Sequence, residues 1–183
     1  MKSPPETQRY LALLRGINVG GHHKVPMADL RENFTAMGFN RIKTLLNSGN
    51  VVFEGKTEQE PNLEERISQY LANSFEFHIS VLVRKMEEIH NVVVKNPFNG
   101  IQLHKDLRLY VTFLKESPKE EFPLPWTSQD GSFQMLEIKE KMIFSVLDVS
   151  KSKTTDAMNI LEKNFGKDIT TRNWNTLVKV VEL

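Results

Sequence analysis

The chain has 183 residues, 39% hydrophobic and 26% charged, with a formal net charge of +1 and no cysteine. These values fit a globular protein of one domain or two small subdomains and argue against wholesale disorder. They exclude disulfides, thiolate nucleophiles and cysteine-based zinc sites, and a near-neutral total gives no long-range field to steer nucleic acid.

The start, "MKSPPETQRY", carries charge but no apolar run, so it does not read as a signal peptide. No later run approaches the ~20 apolar residues of a membrane span. The expectation is a soluble, cytoplasmic protein. Residues 9–15, "RYLALLR", predict a strand, and a glycine-rich loop follows. From Pro26, the stripe Met27, Leu30, Phe34 and Met37 predicts a helix that Gly38 ends. "RIKTLLN" and "NVVFE" flank Ser48-Gly49 and predict a hairpin with a two-residue turn. Pro61 opens a second helix with Leu63, Ile67, Tyr70 and Leu71 on one face, and "HISVLVR", 78–84, reads as a fourth strand. The order β-α-β-β-α-β is a split βαβ unit of the ferredoxin-like kind.

The second half opens with a helix over roughly 85–95, which stops before Asn96-Pro97. "LRLYVTFL", 107–114, is a predicted strand, and "KESPKEEFPLPW", with three prolines and dense charge, a loop. "FQMLEIK" and "MIFSVLDV" pair across Glu140-Lys141. A helix from about Thr155 runs to Phe165 and ends at Gly166. The last helix, from about Arg172, carries Trp174, Leu177, Val178 and Val181 at helical spacing. The expected class is α+β, with subdomain-like halves roughly 9–84 and 85–183 and each sheet face covered by helices.

The stretch "LLRGINVGGHHKVPM", 13–27, looks most like a site. Gly16 and Gly21 begin a P-loop pattern that then fails. His22 and His23 stand where lysine and a hydroxyl are required, and Lys24 comes two residues late. No G-x-G-x-x-G is present. Gly20-Gly21 suit a turn that needs positive φ. With Pro26 at the first helical position, Val25 would be the N-cap and has no capping oxygen. The first N–H groups would then look to water, a neighbouring loop or a ligand. With Arg15 and Lys24 nearby, an anion cradle without magnesium is the expected chemistry.

"ALLRGINVGG…KVPM", then "SGNVVF", "NPF" and "RNWNT", resemble the signature set of the family called domain of unknown function 1697. The resemblance runs from about Tyr10 to the last helix. It implies two intertwined ferredoxin-like subdomains in one α+β unit, and it carries no activity. Its motif positions map to Arg15, Gly16, Asn18, Gly20, Gly21 and Lys24, to Gly49 and Asn50, to Pro97 and Phe98, and to Arg172 through Thr176.

Thr171 is the expected N-cap of the last helix, which puts Arg172 at its first turn, facing an anion or a carboxylate such as Asp168. Trp174 belongs to the apolar stripe. Asn173 and Asn175 are candidate ligand donors or capping groups. Asn47 and Asn50 flank the hairpin turn and suit turn chemistry or ligand orientation. The five histidines show no ligand spacing, Ser48 lacks a nucleophile setting, and Glu87-Glu88 and Glu120-Glu121 read as solvated surface. No metal or cofactor is implied.

The reading that follows is a binding module for a small anionic or phosphorylated ligand. Its expected contacts are Arg15, Gly16, Asn18, Gly20, Gly21, Lys24, Asn50, Arg172, Asn173 and Asn175. The alternatives are an enzyme acting on such a ligand, an RNA binder using the sheet, and a protein-interaction unit using the loop 115–126. The RNA mode wants exposed aromatics on the central strands, and the first strand offers only Tyr10.

Overall fold

The computed structural model describes residues 6–119 and 121–183. The first five residues of the N-terminal segment, and Glu120 of the surface pair, lie outside the described residues. The class is mixed α and β: two antiparallel sheets and, among the described residues, five helices. The chain divides into two compact units, residues up to Asn91 together with Lys179–Leu183, and Val92–Val178. The first boundary falls inside a helix.

In the first unit, β1 (Thr7–Arg15), α1 (Met27–Ala36), β2 (Asn40–Leu45), β3 (Asn50–Lys56), α2 (Glu60–Phe75) and β4 (Ser80–Lys85) follow in order. The sheet order is β2-β3-β1-β4, with each neighbouring pair antiparallel. Alternation along each strand sends Tyr10, Ala12, Leu14, Val51, Phe53, Val81 and Val83 to one face. Leu30 and Phe34 of α1 and Leu63, Ile67 and Leu71 of α2 bury that face. The helical stripes read from the sequence are thus the covering layer. The β2–β3 connection is Leu46–Gly49, four residues rather than the expected two, because Leu45 pairs directly with Asn50. Leu46 and Gly49 take the positive φ angles that bend it.

β4 has one neighbour, so its outer N–H groups need other partners. Two carboxylates one turn apart on α2 supply them. Glu64 Oε1 accepts from Val83 N at 2.9 Å, and Glu60 Oε1 accepts from Lys85 N at 3.2 Å. Arg84, 1% exposed, donates to the Val83 carbonyl and lies 3.5 Å from Glu64 and 3.8 Å from Glu60. The edge is closed by charge held out of water.

The second unit takes in the C-terminal end of α3 (Met86–Lys95), then β5 (Leu107–Leu114), β6 (Trp126–Thr127), β7 (Phe133–Lys139), β8 (Met142–Asp148), α4 (Thr154–Phe165), β9 (Ile169–Asn173) and the start of α5 (Trp174–Val181). Its sheet order is β6-β7-β8-β5-β9. Leu114, Phe133, Met135, Ile143, Leu147 and Ile169 pack against Ala157 and Leu161 of α4. The β7–β8 turn is Glu140-Lys141, as the sequence predicts, both with positive φ. β6 was hidden in the proline-rich loop, and β9 in the presumed start of the last helix.

Glu64→Ala leaves the buried Arg84 charge short of one partner and the Val83 N–H without its acceptor. It should cost about 3–5 kcal/mol, read as a lower urea midpoint at unchanged slope. Glu64→Gln should retain part of the loss, because an amide oxygen still accepts from Val83.

Candidate functional site

The glycine-rich loop leaves the end of β1. Val19-Gly20-Gly21-His22 forms a tight turn in which His22 N donates to the Val19 carbonyl at 3.1 Å. Gly20 and Gly21 take φ of +59° and +78°, and a Cβ on either would meet nothing within 4 Å. Those two glycines serve backbone conformation, not close packing.

Asn18 holds the loop's base. Its Oδ1 accepts from Val25 N at 2.8 Å, and its Nδ2 donates to the carbonyls of Val25 at 2.9 Å and Asn47 at 3.0 Å. One side chain therefore ties the loop to its own far end and to the β2–β3 turn. Asn50, fully buried, donates through Nδ2 to Leu45 O and Ser48 Oγ. Gly49 lies so close to Leu14 that a Cβ would stand 2.7 Å from the Leu14 Cβ. The N-cap of α1 is Pro26, not Val25, and it makes no side-chain cap bond. Arg15 is half-buried in register with Ser80, and Lys24 is exposed.

In the second unit the presumed helix start proves to be strand. β9 pairs with β5 through Thr170↔Phe113, Thr171↔Thr112, Arg172↔Val111 and Asn173↔Tyr110. Period-two alternation then sends Arg172 and Asn173 to opposite faces, where a helix would have kept them on one turn. Arg172 points with Thr170 and donates to its hydroxyl at 2.8 Å and to the Thr171 carbonyl at 3.0 Å. Burial pushes its guanidinium down to about 10, so it stays charged at neutral pH. The helix-dipole role expected of Arg172 falls away with the helix. The cap of α5 is Asn173, not Thr171: its Oδ1 accepts from Asn175 N at 2.9 Å. Thr171 instead bonds Thr112 across the ladder at 2.8 Å.

Asn173 and Asn175 line a cavity of about 300 Å³ with Leu103, His104, Leu107, Arg108 and Leu109. Arg108 Nη1 donates to the carbonyls of Lys105 at 2.7 Å and Leu107 at 3.1 Å, which holds the guanidinium against its own strand start. Among the described residues no carboxylate pairs with Arg108. Capping fixes which way the Asn173 amide faces, so Nδ2 is left as a donor. His104 and Arg108 were missed from the sequence because they stand in no recognisable spacing. Arg172 is not among the residues that line this cavity.

A larger cavity, about 600 Å³, is lined by the proline-rich loop with Phe122 and Phe165, and by Lys115, Lys119, Glu116, Glu121 and Asp168. Its charges are of both signs, so it favours no ligand charge. Asp130 and Asp148 are both held below the usual carboxylate value, Asp130 to about 2 first by the Ser128 hydroxyl and Asp148 first by that of Ser150. Hydrogen bonds from serine hydroxyls and backbone N–H groups in the adjoining turns hold both down, with Lys151 adding to the effect on Asp148. Tyr10 is fully buried, stacked on Phe53 and bonded through its hydroxyl to Glu58, so it offers no base-stacking surface. Among the described residues there is no group of three or more His, Asp or Glu side chains placed to hold a metal ion, and no helix is long and apolar enough to cross a membrane.

The family model described as "Protein of unknown function (DUF1697)" matches residues 7–144. The chain belongs to the DUF1697 family. The matched stretch contains the glycine-rich loop, the β2–β3 turn and "NPF", while "RNWNT" lies beyond it. Among solved structures, the conserved bacterial protein SP0830 from Streptococcus pneumoniae is similar. It shares 25% identity at a TM-score of 0.69, over 97% of this chain and 98% of that one. No curated protein matches.

Asn18→Ala removes three hydrogen bonds and leaves a β-carbon residue at φ +57°. The expected loss is about 2–4 kcal/mol by urea unfolding. Asn18→Gly should recover the backbone share of that loss and no more.

Proposed function

We propose that this DUF1697 protein binds a small anion in the cavity lined by Arg108, His104, Asn173 and Asn175. The observation that carries the reading is a convergence of donors without acceptors. Among the described residues, Arg108 has no carboxylate partner, and no acceptor takes the side-chain N–H groups of Asn173 or Asn175. A guanidinium already anchored through Nη1 presents its remaining edge in a fixed plane, the geometry that carboxylate and phosphate oxygens match. Amide donors then add directional bonds at little ordering cost.

The loop from Arg15 to Lys24 enters this reading as a separate basic surface. Asn18 and Asn50 spend their amides on the protein, which leaves Lys24 as its best-exposed cation. We also read both units as ferredoxin-like. The orders β2-β3-β1-β4 and β7-β8-β5-β9 support this, with the loop and β6 standing in the second unit where α1 stands in the first.

The test is thermal unfolding with acetate, sulfate or phosphate added at constant ionic strength, so that general screening cancels. An anion at ten times its Kd should stabilise the parent protein by about 1.4 kcal/mol. Arg108→Ala and Asn175→Ala should remove most of that response, and Lys24→Ala should leave it. A response lost in the Lys24 variant and kept in the Arg108 variant would move the anion to the loop and refute the cavity.

A further inference from the structure

Asparagine is a thermolabile residue. Its side-chain amide is lost when the backbone nitrogen of the next residue attacks Cγ. The next residue must therefore carry an N–H, that N–H must be unbonded, and no Cβ should crowd the ring that forms. Asn99-Gly100 is the single Asn-Gly pair in the sequence. Both residues are exposed, in the turn that follows α3 and precedes β5.

This turn is fastened on either side of the pair. Asn99 N donates to Asn96 O at 3.0 Å, and Ile101 N donates to Phe98 O at 3.1 Å. Phe98 N donates to Asn96 Oδ1 at 3.2 Å, and the buried Phe98 ring packs edge-on against Phe144 and Trp174. Among the described residues, the Gly100 N–H between these bonds has no acceptor. Gly100 takes φ of +86°, as the third residue of a four-residue turn closed by Ile101 does, and a Cβ there would meet nothing within 4 Å. The Asn99–Gly100 peptide plane can therefore rotate without breaking a hydrogen bond, which brings the Gly100 nitrogen to Cγ.

Comparable positions each lack one of these conditions. Asn96 precedes Pro97, whose nitrogen has no hydrogen. Asn73 and Ser74 lie inside α2, where the helix fixes the backbone. The Asn47 carbonyl accepts from Asn18 Nδ2 at 3.0 Å, which pins the Asn47–Ser48 peptide. At Asp130-Gly131, Gly131 N donates to Ser128 O at 2.9 Å, and the Asp130 carboxylate holds Ser128 and Ser132.

We propose that Asn99 is a site of spontaneous deamidation in the folded protein. Gly100 N bonds to Asn99 Cγ, the bond from Cγ to the amide nitrogen breaks, and ammonia leaves with the Gly100 proton. The product is a succinimide ring. Water then adds to one of its two carbonyl carbons. Cleavage of the new N–Cγ bond gives aspartate, and cleavage of the original peptide bond gives isoaspartate, whose main chain runs through Cβ. Either product places a carboxylate next to the buried Phe98.

The experiment is incubation of the purified full chain at physiological temperature and mildly alkaline pH. Samples are digested with trypsin, and the peptide 96–105, "NPFNGIQLHK", is followed by mass spectrometry against a zero-time control. Fragment ions locate the amide-to-acid exchange, and methylation by an isoaspartyl carboxyl methyltransferase reads the isoaspartate. Asn99 should convert at least several-fold faster than any other asparagine. Asn99→Gln should abolish methyl acceptance in this peptide, and Gly100→Ala should slow conversion several-fold, because a Cβ hinders rotation and attack. Conversion at Asn99 no faster than at Asn47 or Asn73, or unchanged in the Gly100 variant, would overturn the proposal. Conversion seen only after unfolding in urea would overturn it too, since the folded turn would then protect the amide.

Discussion

The outer strand of an antiparallel sheet has half its backbone groups unpaired, and in each unit of this protein one such strand runs straight into a helix. β4 ends at Lys85 and α3 begins at Met86, while β9 ends at Asn173 and α5 begins at Trp174. No connecting loop is present to carry the change of conformation. Side chains must therefore meet the stranded backbone donors. At β4 the work falls to Glu60 and Glu64, with Arg84 balancing their charge. At β9 it falls to Asn173, whose Oδ1 takes the second N–H of the helix. The first solution is buried and rigid. The second is half-exposed and leaves one amide N–H pair to spare, at the rim of a cavity.

In the first unit the polar side chains of the glycine-rich loop are mostly occupied. Asn18 closes the loop, Asn50 closes the neighbouring turn, and Gly49 makes room for Leu14. The stretch that most resembles a phosphate loop is a turn held by its own side chains, and Gly20 and Gly21 take the positive φ angles that it needs. In the second unit Asn173 spends its Oδ1 on the cap of α5 and Arg108 its Nη1 on two carbonyls, which leaves the Asn173 Nδ2 as a donor beside the cavity.

The sequence made the first unit's elements legible because each apolar stripe had one period and a marked end. Met27, Leu30 and Phe34 could only be one helix face, and Gly38 stopped it. Glu140-Lys141 was equally clear, since two strands of alternating character left two residues between them. β9 was not legible: Thr170, Thr171 and Arg172 precede a strong helical stripe, and a threonine before such a stripe looks like a cap. Five residues are too few for alternation to outvote that signal, and pairing with β5 decided it instead. The edge device was hidden for a different reason. Glu60 and Glu64 have the spacing of solvated helix surface, and only the sheet order shows that a bare strand edge faces them. Likewise Arg108 and His104 carry no motif, and their meeting with Asn173 and Asn175 follows from the β5–β9 register.

Whether the spare donors of the second unit converge on one ligand is read by an amide and guanidinium NMR titration of the full chain with an anion at constant ionic strength. Saturable shifts are expected in the side-chain amides of Asn173 and Asn175 and in the Arg108 Nε–H, with one shared dissociation constant. Shifts confined to Gly20, Gly21 and Lys24, or different constants for the three side chains, would contradict it.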